Sequence, residues 1–112
     1  MYMTDEQRQA LGKAHEYLEQ TKTILSEAKD VKGYGQAAAG VTVAYKALQP
    51  FDYFTDETMD FENSLIEVSH APGADTTQVA NWTPLSNEIW NGEKVEEQVR
   101  FIEMMVQYLE KN

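Results

Sequence analysis

The sequence predicts an all-α protein: a single-domain four-helix bundle spanning residues 1–112, with a short extra helical turn near residues 84–91. Three observations carry this prediction. Apolar residues recur at alternating steps of three and four near both ends of the chain, the period of a helix with one buried face. Capping and breaking residues divide the chain into segments of helical length. The size and composition, 112 residues with 42% apolar and 25% charged, suit one globular domain.

The first helix opens on Thr4-Asp5-Glu6-Gln7, where Thr4 can cap the chain end and Gln7 can reach back to it. Leu11, Ala14, Leu18, Thr21, Leu25 and Ala28 then fall on one face, so a helix is expected from about 5 to 29. Asp30 to Gly35 reads as a connection. From Gly33 to Tyr45 there are thirteen residues without a charge, rich in alanine. That predicts a second helix buried between others, its small side chains permitting close approach. Gly40, Val41, Thr42 and Val43 weigh against helix, and a strand at 41–45 is the alternative. Pro50 ends the segment.

After the aromatic stretch Phe51-Asp52-Tyr53-Phe54, Thr55 or Asp56 caps a third helix expected to reach about Ser69. Phe61, Leu65 and Val68 form its inward stripe, with Ile66 and Met59 at its edges. Pro72-Gly73 stops it, and 71–82 is a polar loop. Thr83-Pro84 starts the short turn that carries Leu85, Ile89 and Trp90 and ends at Asn91-Gly92. The last helix is expected from about Glu93 to Glu110. Its main stripe is Val95, Val99, Ile102, Val106 and Leu109, and Phe101, Met105 and Tyr108 form a second stripe beside it. A face that broad fits either a central helix or one that buries its second stripe against another chain.

Charge is distributed unevenly. The formal net charge is -10, yet residues 1–46 hold six acids and six bases. Residues 47–93 hold nine acids and no Lys or Arg: Asp52, Asp56, Glu57, Asp60, Glu62, Glu67, Asp75, Glu88 and Glu93. Such a field repels nucleic acid and anionic membrane surfaces, whose binding draws on Lys and Arg. It attracts basic surfaces and speeds their encounter at low salt. The bland account is that acidity serves solubility alone.

Motifs for chemistry are sparse. With no cysteine, disulfides, thiolate metal sites and Cys nucleophiles are excluded. Glu67 and His70 have the Glu-x-x-His spacing of di-iron bundles, but the only other histidine, His15, has no glutamate three residues before it. The acids of 52–62 lack the calcium-loop pattern of alternate ligands, central glycine and final glutamate. Gly33-x-Gly35 follows no expected strand, so it is not a phosphate cradle. Arg8 and His15 fall within the R-x4-6-H spacing of HEPN ribonucleases, but no other feature of the chain supports that family. No metal or cofactor is expected.

The N-terminal residues show no basic start followed by an apolar run, and no stretch has 18 uninterrupted apolar residues. A soluble, cytoplasmic protein is expected. The leading functional expectation is a non-enzymatic binding protein whose acidic middle occupies a basic surface of another protein, as inhibitors and nucleic-acid mimics do. Phage and bacterial proteins that block nucleases share this size and charge by type, not by motif. The candidate partner-binding residues are Asp52, Tyr53, Asp56, Glu57, Asp60, Glu62, Glu67, Trp82 and Trp90, acids interleaved with aromatic anchors. The alternative is a homodimeric scaffold assembled through Phe101, Met105 and Tyr108. A small helical enzyme using His15 or His70 comes third.

Overall fold

A computed structural model of the chain describes residues 3–51, 56–68 and 90–111. The described residues are all-α, with four helices in the order α1 (Asp5–Glu27), α2 (Val31–Lys46), α3 (Asp56–Asn63) and α4 (Gly92–Lys111). Three long helices, α1, α2 and α4, pack against one another in pairs. The short α3 and the segment after it close over the side. Of the extra turn expected at 84–91, only Trp90 and Asn91 lie among the described residues.

α1 begins as its sequence dictates. The Gln7 amide donates to the Thr4 hydroxyl and the Thr4 amide to the Gln7 side chain, both at 3.1 Å, which satisfies two otherwise orphaned donors. Gln7 also donates its side-chain amide to the Pro50 carbonyl at 3.4 Å, tying the start of α1 to the turns that follow α2. Ala10, Leu11, Ala14, Tyr17, Leu18 and Thr21 are buried, and Thr21 satisfies its hydroxyl on the Tyr17 carbonyl at 2.7 Å. α1 stops at Glu27, two residues earlier than its periodicity suggests. Ala28 turns extended, and Asp30 caps α2 by accepting from the Gly33 amide at 2.9 Å. The expected connection at 30–35 is therefore shorter, with helix restarting at Val31.

The tightness of this turn depends on Gly33. A Cβ there would stand 3.0 Å from the Ala28 Cβ and 3.1 Å from its Cα. A connection this short makes α1 and α2 antiparallel neighbours.

α2 is helical throughout, so the alternative of a strand at 41–45 does not hold. Gly35, Ala37, Ala38, Ala39, Gly40, Val41, Thr42 and Ala44 are all buried. Small side chains let α1 and α4 approach its backbone closely, and tertiary packing outweighs the weak helix propensity of Gly40, Val41 and Thr42.

α3 corrects the sequence reading. It ends at Asn63 rather than near Ser69. Ser64 and Leu65 donate their amides three residues back, to Phe61 (2.9 Å) and Glu62 (3.2 Å), tightening the last turn. The Ser64 hydroxyl also takes the Phe61 carbonyl at 2.6 Å, an acceptor that a continuing helix would use. From there the chain runs extended: Ile66 and Val68 are buried, while Glu67 between them is exposed. The inward residues follow a period of two, not the helical stripe Phe61, Leu65, Val68. Long-range bonds from two side chains hold the segment in place. Thr42 donates its hydroxyl to the Ile66 carbonyl at 3.0 Å, and Gln98 donates its amide to the Ser64 carbonyl at 3.2 Å.

α4 is capped by Asn91, whose side chain accepts from the Lys94 amide at 2.8 Å. It buries Val95, Gln98, Val99, Ile102, Met105, Val106 and Leu109. Two side-chain contacts mark its alignment with α1: a hydrogen bond between His15 and Glu110, and an ion pair between Lys22 and Glu103. Partners descend α4 as they ascend α1, seven residues per step, so the two helices run antiparallel. Among the described residues, no helix is long and apolar enough to cross a membrane.

Candidate partner-binding surface

The acidic region is built on one aromatic pin. Phe61 of α3 is buried, stacked on Phe101 of α4 with ring centroids 4.3 Å apart, and tilted against Tyr45 of α2 at 5.3 Å. These contacts anchor a helix of only eight residues, too short to persist alone. With Phe61 and Thr58 turned inward, Met59, Asp60, Glu62 and Asn63 face water. Met59 is 53% exposed, and Asp60 and Glu62 are exposed beside it. Glu67 extends the acidic surface along the following segment.

Glu62 lies next to the Tyr45 hydroxyl. The Tyr45 pKa is raised above its ordinary 10.0, first by burial and then by the negative charge of Glu62 and the hydrogen bond to it. The hydroxyl therefore stays protonated and donates to the carboxylate, linking the acidic surface to α2.

The structure separates the sequence candidates into three groups. Asp60, Glu62 and Glu67 are exposed. Asp56 and Glu57 open α3, but their side chains lie outside the described residues, as do Asp52, Tyr53 and Trp82 altogether. Trp90 belongs to neither group and corrects the reading. It is 1% exposed, packed into the hydrophobic core at the entry to α4. The Lys94 ammonium sits 4.3 Å from the centre of its ring, a cation–π contact within one chain. A tryptophan so enclosed cannot anchor a partner.

The second apolar stripe of α4 also differs from expectation. Met105 is only 8% exposed and belongs to the core, because its position lies within the arc that includes Ile102 and Leu109. Phe101 is half-buried against Phe61, and Tyr108 is exposed. Met104, which the sequence reading passed over, faces outward.

Sequence reasoning also missed the cross-helix pairs. Lys22 sits between Glu103 and Glu19, the latter at 3.4 Å. Its pKa rises above 10.5 chiefly through the hydrogen bond to Glu103, against a smaller opposing effect of burial. The signal was present in the sequence: His15 and Lys22 are seven apart, as are Glu103 and Glu110. Arg8 and His15 are exposed, and His15 is held by Glu110, so the pair marks a helix surface. Beside Lys22, an open cleft of about 330 Å³ lies between α1 and α4, lined by Leu25, Ser26, Glu96, Val99 and Arg100. Its opposed charges, Lys22 and Arg100 against Glu96, favour no single ligand charge. Among the described residues, no three His, Asp or Glu side chains converge as a metal site would require.

Comparison with known protein families, with curated proteins and with solved structures returns no match to this chain.

Proposed function

We propose that this chain is a non-enzymatic binding protein that uses its acidic middle region to occupy a basic surface on another protein, including surfaces that ordinarily take nucleic acid. The observation that carries the reading is the exclusion of every Lys and Arg from residues 47–93, combined with exposure of Met59, Asp60, Glu62 and Glu67 around a buried Phe61. Carboxylates at such a surface stand where phosphates would stand on a nucleic acid. The Met59 side chain supplies apolar contact between them, the combination that protein interfaces favour. In this reading the aromatic pin is structural, and binding energy comes from the exposed residues about it.

The test compares the tagged protein with a variant carrying Asp52→Asn, Asp56→Asn, Asp60→Asn and Glu67→Gln. Both are used to capture proteins from a native lysate, with thermal unfolding checked in parallel. A basic protein retained by the parent, released by high salt and lost by the variant is the expected outcome. Identical capture by both, or affinity for the captured protein unchanged between low and high salt, refutes the electrostatic reading.

A further inference from the structure

We propose that the outward face of α4 pairs with the same face of a second copy of this chain, the two helices antiparallel about a twofold axis beside Met104. Glu97, Phe101, Met104, Tyr108 and Lys111 follow one another at steps of four, three, four and three, which places them on one line along the helix. This line lies away from the stripe that fills the core. Its centre is apolar and wet: Met104 is 69% exposed and Tyr108 52%, with Phe101 half-buried at the edge toward α3. Its two ends are exposed and of opposite charge.

That order makes the face complementary to itself when reversed. Glu97 and Lys111 each lie seven residues from Met104, about 10.5 Å along the axis. A twofold axis at Met104 therefore sets Met104 against Met104, Phe101 near Tyr108 of the second copy, and Glu97 level with Lys111 of the second copy. The ion pair forms twice per dimer, as an isologous contact requires. Arg100 falls level with Tyr108 of the second copy, where its guanidinium can cover the ring. A parallel pair would set Glu97 on Glu97 and Lys111 on Lys111, so charge selects the antiparallel arrangement. Five residues a side fall well short of the roughly 20–30 of a standard stable interface, so the pair is expected to come apart on dilution.

Sedimentation equilibrium over a concentration series tests this, with circular dichroism confirming that each variant is folded. The parent chain should rise from 12.8 kDa toward twice that mass as concentration increases. Met104→Glu should remain monomeric. Glu97→Lys, which sets lysine against lysine, should weaken association at least tenfold, and the double variant Glu97→Lys with Lys111→Glu should restore it. A parent that stays monomeric at millimolar concentration, or a dimer indifferent to Met104→Glu, overturns the proposal. Failure of the double variant to recover association overturns the antiparallel register. None of these substitutions touches residues 47–68, so the outcome is separable from that of the acidic-surface experiment.

Discussion

At the scale of single residues, the fold rests on a few polar groups that reach between elements. The Thr42 hydroxyl bonds both the Ala38 carbonyl, at 3.3 Å, and the Ile66 carbonyl, at 3.0 Å, in a site closed to water. Thr42→Val keeps the shape but leaves the Ile66 carbonyl without its donor, and should cost about 1–3 kcal/mol in urea denaturation. Valine as stable as threonine would show that this bond holds nothing in place. Tyr45 and Lys22 both have pKa values raised in the folded chain. For each, the stabilisation is complete below the ordinary pKa and is lost as pH climbs through the raised one. Stability should therefore fall above about pH 10, and Tyr45→Phe should flatten part of that fall. The Lys22–Glu103 share is small, about 0.2–1 kcal/mol, because both side chains are partly exposed. A urea midpoint that stays level from pH 9 to 11 would contradict both assignments.

At the scale of elements, α1, α2 and α4 were legible because each carries local signals strong enough to survive packing. The capping box at Thr4 and Gln7, the uncharged run through α2 and the apolar stripe of α4 all depend on residues close in sequence. The end of α3 was not legible, since the bonds that hold residues 64–66 off the helical path come from Thr42 and Gln98, far away in the chain. The same limit applies to the candidate surface. Exposure of Asp60 and Glu62 follows from the inward turn of Phe61, whereas burial of Trp90 depends on the core it meets. Glycines sharpen the point. Gly12 lies on the exposed side of α1 with nothing within 4 Å of a Cβ, so Gly12→Ala should add about 1 kcal/mol of stability. Gly33→Ala should reduce stability, because the Ala28 backbone stands in the way. Thermal unfolding of the two variants checks the pair, and equal shifts of the same sign would remove the steric role assigned to Gly33.

At the scale of the whole molecule, charge and packing are segregated. The described surface of residues 58–68 carries only negative charge, while α1 and α4 alternate signs and interlock through His15–Glu110 and Lys22–Glu103. The cross-helix pairs follow the alignment that the shared core gives the two long helices. The acids of the middle region have no Lys or Arg of their own segment to neutralise them. If the proposed binding to a basic partner holds, salt should weaken it by screening these acids, while it weakens the fold far less.

The burial of α2 on nearly every side also has a kinetic meaning. Amides near the ends of α1 and α4 can exchange with solvent through local fraying, but those of residues 38–44 have no such route. Their release requires α1 and α4 to separate, which is unfolding of the molecule. In deuterated water these amides should be the last to exchange, and the free energy of their opening should equal that of global unfolding. A substitution that loosens the core would then be read at Ala39 and Val41 before any change in helix content is visible.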